Sequence, residues 1–275
     1  MNMIENNLDN GIAPVRFWRH DRFATVLLIA SLLLIWEIGA SQSTPERIPS
    51  LLSVGAALYS IAIGATEYAF FSQVSATLLR LVISVILSLL IGVPLGILMG
   101  RNSVTESFAS VPVLVSMSIP AFVWAFLGVL WFGRTEYIVT VMVGIIVLAP
   151  IVVFNVWQGT KEIDSNLLEM SQVFQLSTRS TWRHVFFPHL TPYILSSTRM
   201  IVAVGWKIML VAEIFGADNG LGFVINEYFL LLRNDMILAW SLPMVCLIFV
   251  FDRLLRRVEI KLFDWKSDLD NHIAA

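Results

Sequence analysis

Six apolar runs of bilayer-crossing or near-crossing length take up most of this chain: Phe23–Ala40, Val74–Gly100, Val111–Phe132, Tyr137–Trp157, Tyr193–Phe215 and Met236–Phe251. A helix needs about twenty apolar residues to cross the hydrocarbon core, so the pattern predicts an all-α, polytopic membrane protein with about six transmembrane helices. Composition agrees, because 57% of the 275 residues are hydrophobic and only 14% are charged. A soluble domain carries about a quarter charged residues, and this chain has too few to cover a water-facing surface. The single cysteine, Cys246, excludes an intrachain disulfide or a thiolate metal site and reads as a small buried hydrophobe.

The first run follows Arg16, Arg19 and Arg22 and ends near Gly39-Ala40-Ser41, as a secretory signal does. Its length and the spans behind it favour an uncleaved first helix. Leu51–Ile63 is apolar but short and follows Pro49, so it is expected at the interface or packed on the bundle. With the N-terminus inside, Arg16, Arg19, Arg22, Arg101, Lys161, Arg179, Arg183, Arg253, Arg256, Arg257, Lys261 and Lys266 are cytoplasmic, leaving Arg47, Arg134 and Arg233 outside. That bias predicts both termini in the cytoplasm. The expected organisation is a cytoplasmic tail (1–22), a transmembrane domain (23–252) with a cytoplasmic loop at about 160–192, and a second tail (253–275).

Within the second run Gly92, Gly96 and Gly100 recur every four residues, placing a smooth stripe on one helix face for close helix contact or for a moving one. Pro94, Pro120, Pro150 and Pro243 lie within or at the ends of spans and favour kinks.

The polar island Glu169–Arg199 is too long and too organised for a plain connector. Asp164 or Ser165 can cap a helix with Leu167, Met170, Val173 and Phe174 on one face. Ser177 or Thr178 can start a second helix carrying Trp182, Val185 and Phe186, which Pro188 and Pro192 are expected to end. Such a helix pair suits either the lipid interface or a groove on a cytoplasmic partner.

This island resembles the cytoplasmic E-A-A loop of permease subunits of bacterial ABC importers. Glu169 stands at the family's Glu and Pro188 at its closing Pro. Pro192-Tyr193-Ile194-Leu195, Arg199, Val204-Gly205-Trp206, Ala212-Glu213, Gly220-Leu221-Gly222 and Trp131-Phe132-Gly133 resemble the nitrate/sulfonate/taurine branch. The similarity covers roughly residues 70 to 265. It departs where Met170-Ser171 replaces paired alanines and Gln175 replaces the bend glycine, where a positive φ would cost on the order of 1 kcal/mol.

The resemblance implies a type I ABC importer permease fold in a bacterial inner membrane. The implied partners are two cytoplasmic ATPase subunits, an external solute-binding protein and a second permease subunit, identical or different. Lipid surrounds the chain, and nothing points to nucleic acid. It further implies that Glu169, Met170, Val173, Phe174, Gln175, Trp182 and Pro188 couple to the ATPase. No G-x-x-x-x-G-K-[ST] phosphate cradle occurs, so ATP is expected on the partner, with no cofactor here and no catalysis by this chain. His184 and His189 lack further ligands for a metal site.

Arg80 and Arg199 sit near helix ends and are expected to snorkel. Lys207 lies well inside the fifth span, where the family carries an uncharged residue. Pairing with Glu213 or Glu37 and attraction of an anionic solute are both open. Lys207, Glu213 and Trp206 are the candidate pore or gating residues. A secondary transporter would show an internal repeat, and an intramembrane enzyme would show a catalytic motif such as H-E-x-x-H or G-x-S-x-G. Neither is present.

Overall fold

The glycine stripe determines how the bundle closes. The computed structural model describes residues 21–273 apart from residue 45, with side chains described from 24 to 257 except 45, 252, 255 and 256. Residues 1–20, including Arg16 and Arg19, lie outside the described residues. Helix α3 (Phe70–Arg101) packs along α6 (Ile138–Lys161) in the most extensive helix pair of the fold. A Cβ on Gly92 would stand 2.6 Å from Val152 Cβ, and one on Gly96 would stand 2.8 Å from the Val153 carbonyl oxygen. Only glycine permits that backbone approach, and the stripe is a packed contact.

Around this pair stand α1 (Asp21–Ser41), α9 (Phe187–Gly216) and α11 (Asn234–Ile273), and five helices are long and apolar enough to cross a membrane. The third apolar run behaves differently from the single span expected for Val111–Phe132. It forms α4 (Ser103–Ser118) and α5 (Ala121–Phe132), bent by 97° at the break. Pro120 is the cause, since its ring drives Ile119 out of the helical region to φ −82°, ψ 124°. Counted as one broken span, the pair completes the six. Pro94, Pro150 and Pro243 are instead absorbed inside α3, α6 and α11.

Helix α1 is exposed along nearly its whole length, as a lipid-facing helix is. It is tethered where Trp36 Nε1 donates to the Pro49 carbonyl and Glu37 accepts from the Leu51 amide at the start of α2 (Leu51–Ala62). Helix α2 packs on α11, burying Ala57 and Ile61. One apolar cluster joins α3, α5, α6 and α9 through Ala125, Val143, Val152, Ile201 and Ile208. A second centres on Trp206, Trp240 and the short helix α10 (Leu221–Leu230). No strand occurs among the described residues. The region read as a C-terminal tail begins as a continuation of α11.

Candidate functional site

Between α6 and α9 the chain makes a helical excursion whose ends are built by local chemistry. Asp164 caps α7 (Ser165–Val173), its carboxylate accepting from the Asn166 amide at 2.8 Å. At the other end the Gln175 amide donates to the Gln172 carbonyl and the Leu176 amide to the Ser171 carbonyl, both at 2.9 Å. That pair of bonds is a Schellman turn, and Gln175 occupies its left-handed position with φ +49°. The bend therefore keeps the geometry a glycine would provide while carrying a side chain. Gln175→Gly is expected to firm this turn by about 0.5–1 kcal/mol after the added backbone entropy is counted. The check is amide exchange at Leu176, slowed about two- to fivefold.

Ser177 then caps α8 (Thr178–Thr181), accepting from the Ser180 amide. Here the sequence expectation fails, because Pro188 and Pro192 do not end the second helix. Trp182–Phe186 form one π turn, closed by the Phe187 amide on the Trp182 carbonyl, and the chain runs on into α9. Pro188 falls in the first turn of α9, where its missing N–H costs least.

Helix α7 faces outward with its apolar side. Val173 is 79% exposed and Phe174 66%, and Leu167, Met170 and Leu176 are also exposed. The Glu169 side chain is exposed and makes no hydrogen bond or ion pair to the other described residues. By contrast, the flanks of the excursion are locked to the bundle. Arg101, at the end of α3, lies 5.2 Å over the Trp182 ring and 5.0 Å over Phe186, and these two rings stack on each other. His189 Nε2 donates to the Gly159 carbonyl, and Tyr193 OH donates to Glu162. A Cβ on Gly159 would stand 2.5 Å from the Tyr193 ring. Lys161 pairs with Glu106 of α4. These contacts tie the two flanks of the excursion, Lys161 and Glu162 before α7 and residues 182–193 after it, to one another and to α3 and α4.

At the opposite end of the bundle is a buried ionic cluster. Arg80 Nη1 meets Glu213 Oε1 at 2.6 Å, and both side chains are fully buried. Arg80 also donates through Nε to the Glu136 carbonyl at 2.7 Å, through Nη1 to the Asn219 carbonyl at 2.9 Å, and through Nη2 to Asn219 Oδ1. Glu213 Oε2 accepts from Thr77 Oγ1 and from the Gly222 amide, each at 2.9 Å. Gln73 accepts from the Gly220 amide. Gly220, at φ +104°, lies so close that a Cβ would strike the Glu213 carboxylate. The Ala212-Glu213 and Gly220-Leu221-Gly222 motifs are therefore two halves of one joint between α3, α9 and α10.

This joint corrects the reading of Arg80 as a snorkelling side chain. It also removes Glu213 as a partner for Lys207, while Glu37 is occupied at the start of α2. Trp206 is buried in the core against Phe251, away from any accessible surface. Lys207 is exposed, without a hydrogen bond or ion pair to the other described residues. Sequence inspection misread Arg80 and missed Thr77, Gln73 and Asn219. The available signal was a cation in an apolar run with an acid in another.

Residues 92–263 match the family of binding-protein-dependent transport system inner membrane components. The chain belongs to that family. Similar proteins include the taurine transport system permease protein TauC of Escherichia coli (strain K12), 25% identical over 258 residues that span 92% of this chain and 94% of that protein. The formylaminopyrimidine transport permease protein ThiX of Halalkalibacterium halodurans is 30% identical over 199 residues, 72% of this chain and 77% of that protein. The nitrate import permease protein NrtB of Synechocystis sp. is 25% identical over 218 residues, 77% of this chain and 78% of that protein. In fold, an inward-facing conformation of the MetNI methionine ABC transporter aligns with TM-score 0.56 and 22% identity, over 68% of this chain and 95% of that one. This permease has the type I ABC importer fold and is a multi-pass inner-membrane component of a binding-protein-dependent ABC importer.

Proposed function

We propose that this permease forms the translocation pathway for a small solute and is driven by two cytoplasmic ATPase subunits that grip α7. The observation that carries this reading is the outward apolar patch Leu167, Met170, Val173, Phe174 and Leu176, on a short helix capped at both ends, whose flanking segments are held to the bundle. An amphipathic helix presented this way fits a groove on a partner. Glu169, unengaged within the described chain, is placed to meet a donor on that partner, and Trp182 and Pro188 set the return into α9. Lacking a phosphate cradle, the chain takes its energy from ATP held by the ATPase. The distribution of Lys and Arg supports α7 and both termini on the cytoplasmic side, with a solute-binding protein docking on the outer side. A second permease subunit, identical or different, completes the pathway. Glu213, with Arg80, acts as a joint between moving helices, and Trp206 fills the core behind it. Relatives named for taurine, nitrate and a formylaminopyrimidine do not agree on a solute.

The test is co-purification of the full chain with an ATPase and vanadate-sensitive solute uptake in vesicles. Glu169→Ala is expected to keep the assembly while lowering solute-stimulated ATP hydrolysis about tenfold, the size of one lost charge-assisted contact. Unchanged stimulation in that variant removes Glu169 from the coupling role.

A further inference from the structure

The faces this permease turns outward are not all alike. Helix α1 presents Val26, Leu27, Leu28, Ile29 and Leu32, and α3 presents Leu79, Val82, Ile86 and Leu90, as lipid requires. Helix α9 presents Ser196, Met200, Ala203 and Lys207 instead. Their spacing of four, three and four residues sets them in one stripe. Lys207 stands nine residues from Gly216, about 14 Å along the axis. A lysine stem reaches on the order of 6 Å, so the ammonium does not escape to the nearer helix end. Its two acidic candidates are engaged elsewhere, Glu213 by Arg80 and Glu37 by the Leu51 amide. A cation inside the span with no hydrogen bond or ion pair to the other described residues requires water or an anion beside it.

We infer that the Ser196–Lys207 stripe of α9 lines an aqueous path and that Lys207 is a specificity-determining residue selecting small anionic solutes. This rests on the permease reading above and adds the charge class of its solute. Small side chains at Ser196 and Ala203 leave room beside the helix, and the ammonium supplies a mobile point charge that an oxyanion can pass without tight capture.

The test labels a cysteine one turn from Lys207 in the full chain, in native membrane vesicles, with Cys246→Ser removing the native thiol. Ala203→Cys is reacted with an anionic sulfonatoethyl and a cationic trimethylammonioethyl methanethiosulfonate. At about 6 Å, even with water's full dielectric, a unit charge favours the anion over the cation by about tenfold. The anionic-to-cationic rate ratio is therefore expected to fall about tenfold or more on Lys207→Gln and to hold in Lys207→Arg. Met200→Cys, a turn further away, serves if Ala203→Cys does not accumulate, with a smaller drop. Reaction with neither reagent overturns the aqueous path, and a ratio indifferent to Lys207→Gln overturns the anion selection. Vanadate-sensitive uptake is measured in the same vesicles. Its absence alongside a Lys207-dependent ratio removes the permease reading and leaves the anion site standing.

Discussion

Replacing Glu213 with alanine is expected to destabilise the fold by about 3–5 kcal/mol, the usual cost of stranding one member of a buried ion pair. Arg80 cannot relax toward water, because its side chain is fully buried and three of its donors are held by Glu136 and Asn219. The deletion also leaves the Gly222 amide without its acceptor and the Thr77 hydroxyl with only the Gln73 carbonyl. Against a total stability of about 5–15 kcal/mol, a loss of this size is a large fraction of the margin and lowers the unfolding temperature markedly. Thermal unfolding of the purified permease, followed by tryptophan fluorescence, together with its level in the membrane, measures the effect. Arg80→Met combined with Glu213→Leu is expected to recover a large part of the loss, since a neutral pair of similar volume has no charge to strand. A Glu213→Ala chain that unfolds at the wild-type temperature would remove the cluster from the structural role assigned to it.

That cluster also marks the limit of what could be read from sequence. The apolar runs carry depth, and depth is a one-dimensional property, so the runs were legible. The Gly92, Gly96 and Gly100 stripe was legible too, because helical periodicity converts spacing into a face. Local chemistry narrowed the caps to Asp164 or Ser165 and Ser177 or Thr178, of which Asp164 and Ser177 serve, while the bend at Gln175 was marked only by the family resemblance, which left its geometry open. Arg80 and Glu213 are 133 positions apart, and no periodicity states which helix faces which. An arginine near the end of an apolar run looks the same whether it points to headgroups or to a carboxylate. The prolines were ambiguous for a similar reason. At Pro120 the residue before it could turn extended and the span broke, whereas Pro188 fell in the first turn of a helix already under way. A π turn gave no warning, being a one-residue change in hydrogen-bond register that composition does not record.

The outward apolar patch on α7 separates fold from function most cleanly, because its side chains contribute little to the packed core. Val173→Asp with Phe174→Asp is expected to leave the unfolding temperature nearly unchanged, as surface substitutions shift stability by only about 0.5 kcal/mol. The Asp164 cap and the Schellman turn are made by other groups, so α7 should persist as a helix. Binding of the ATPase should suffer heavily. Anchors of a helix in a groove each cost about 2 kcal/mol or more when lost, and two together weaken docking by about a thousandfold. Co-purification of the ATPase and solute-stimulated hydrolysis should both collapse in a permease that still folds and inserts. If α7 instead lay on lipid, the same two charges would loosen its membrane contact and leave the ATPase bound and stimulated. Retention of the ATPase by the doubly charged chain would therefore exclude α7 as the coupling helix and leave the stack of Arg101 on Trp182 and Phe186 as the next surface to probe.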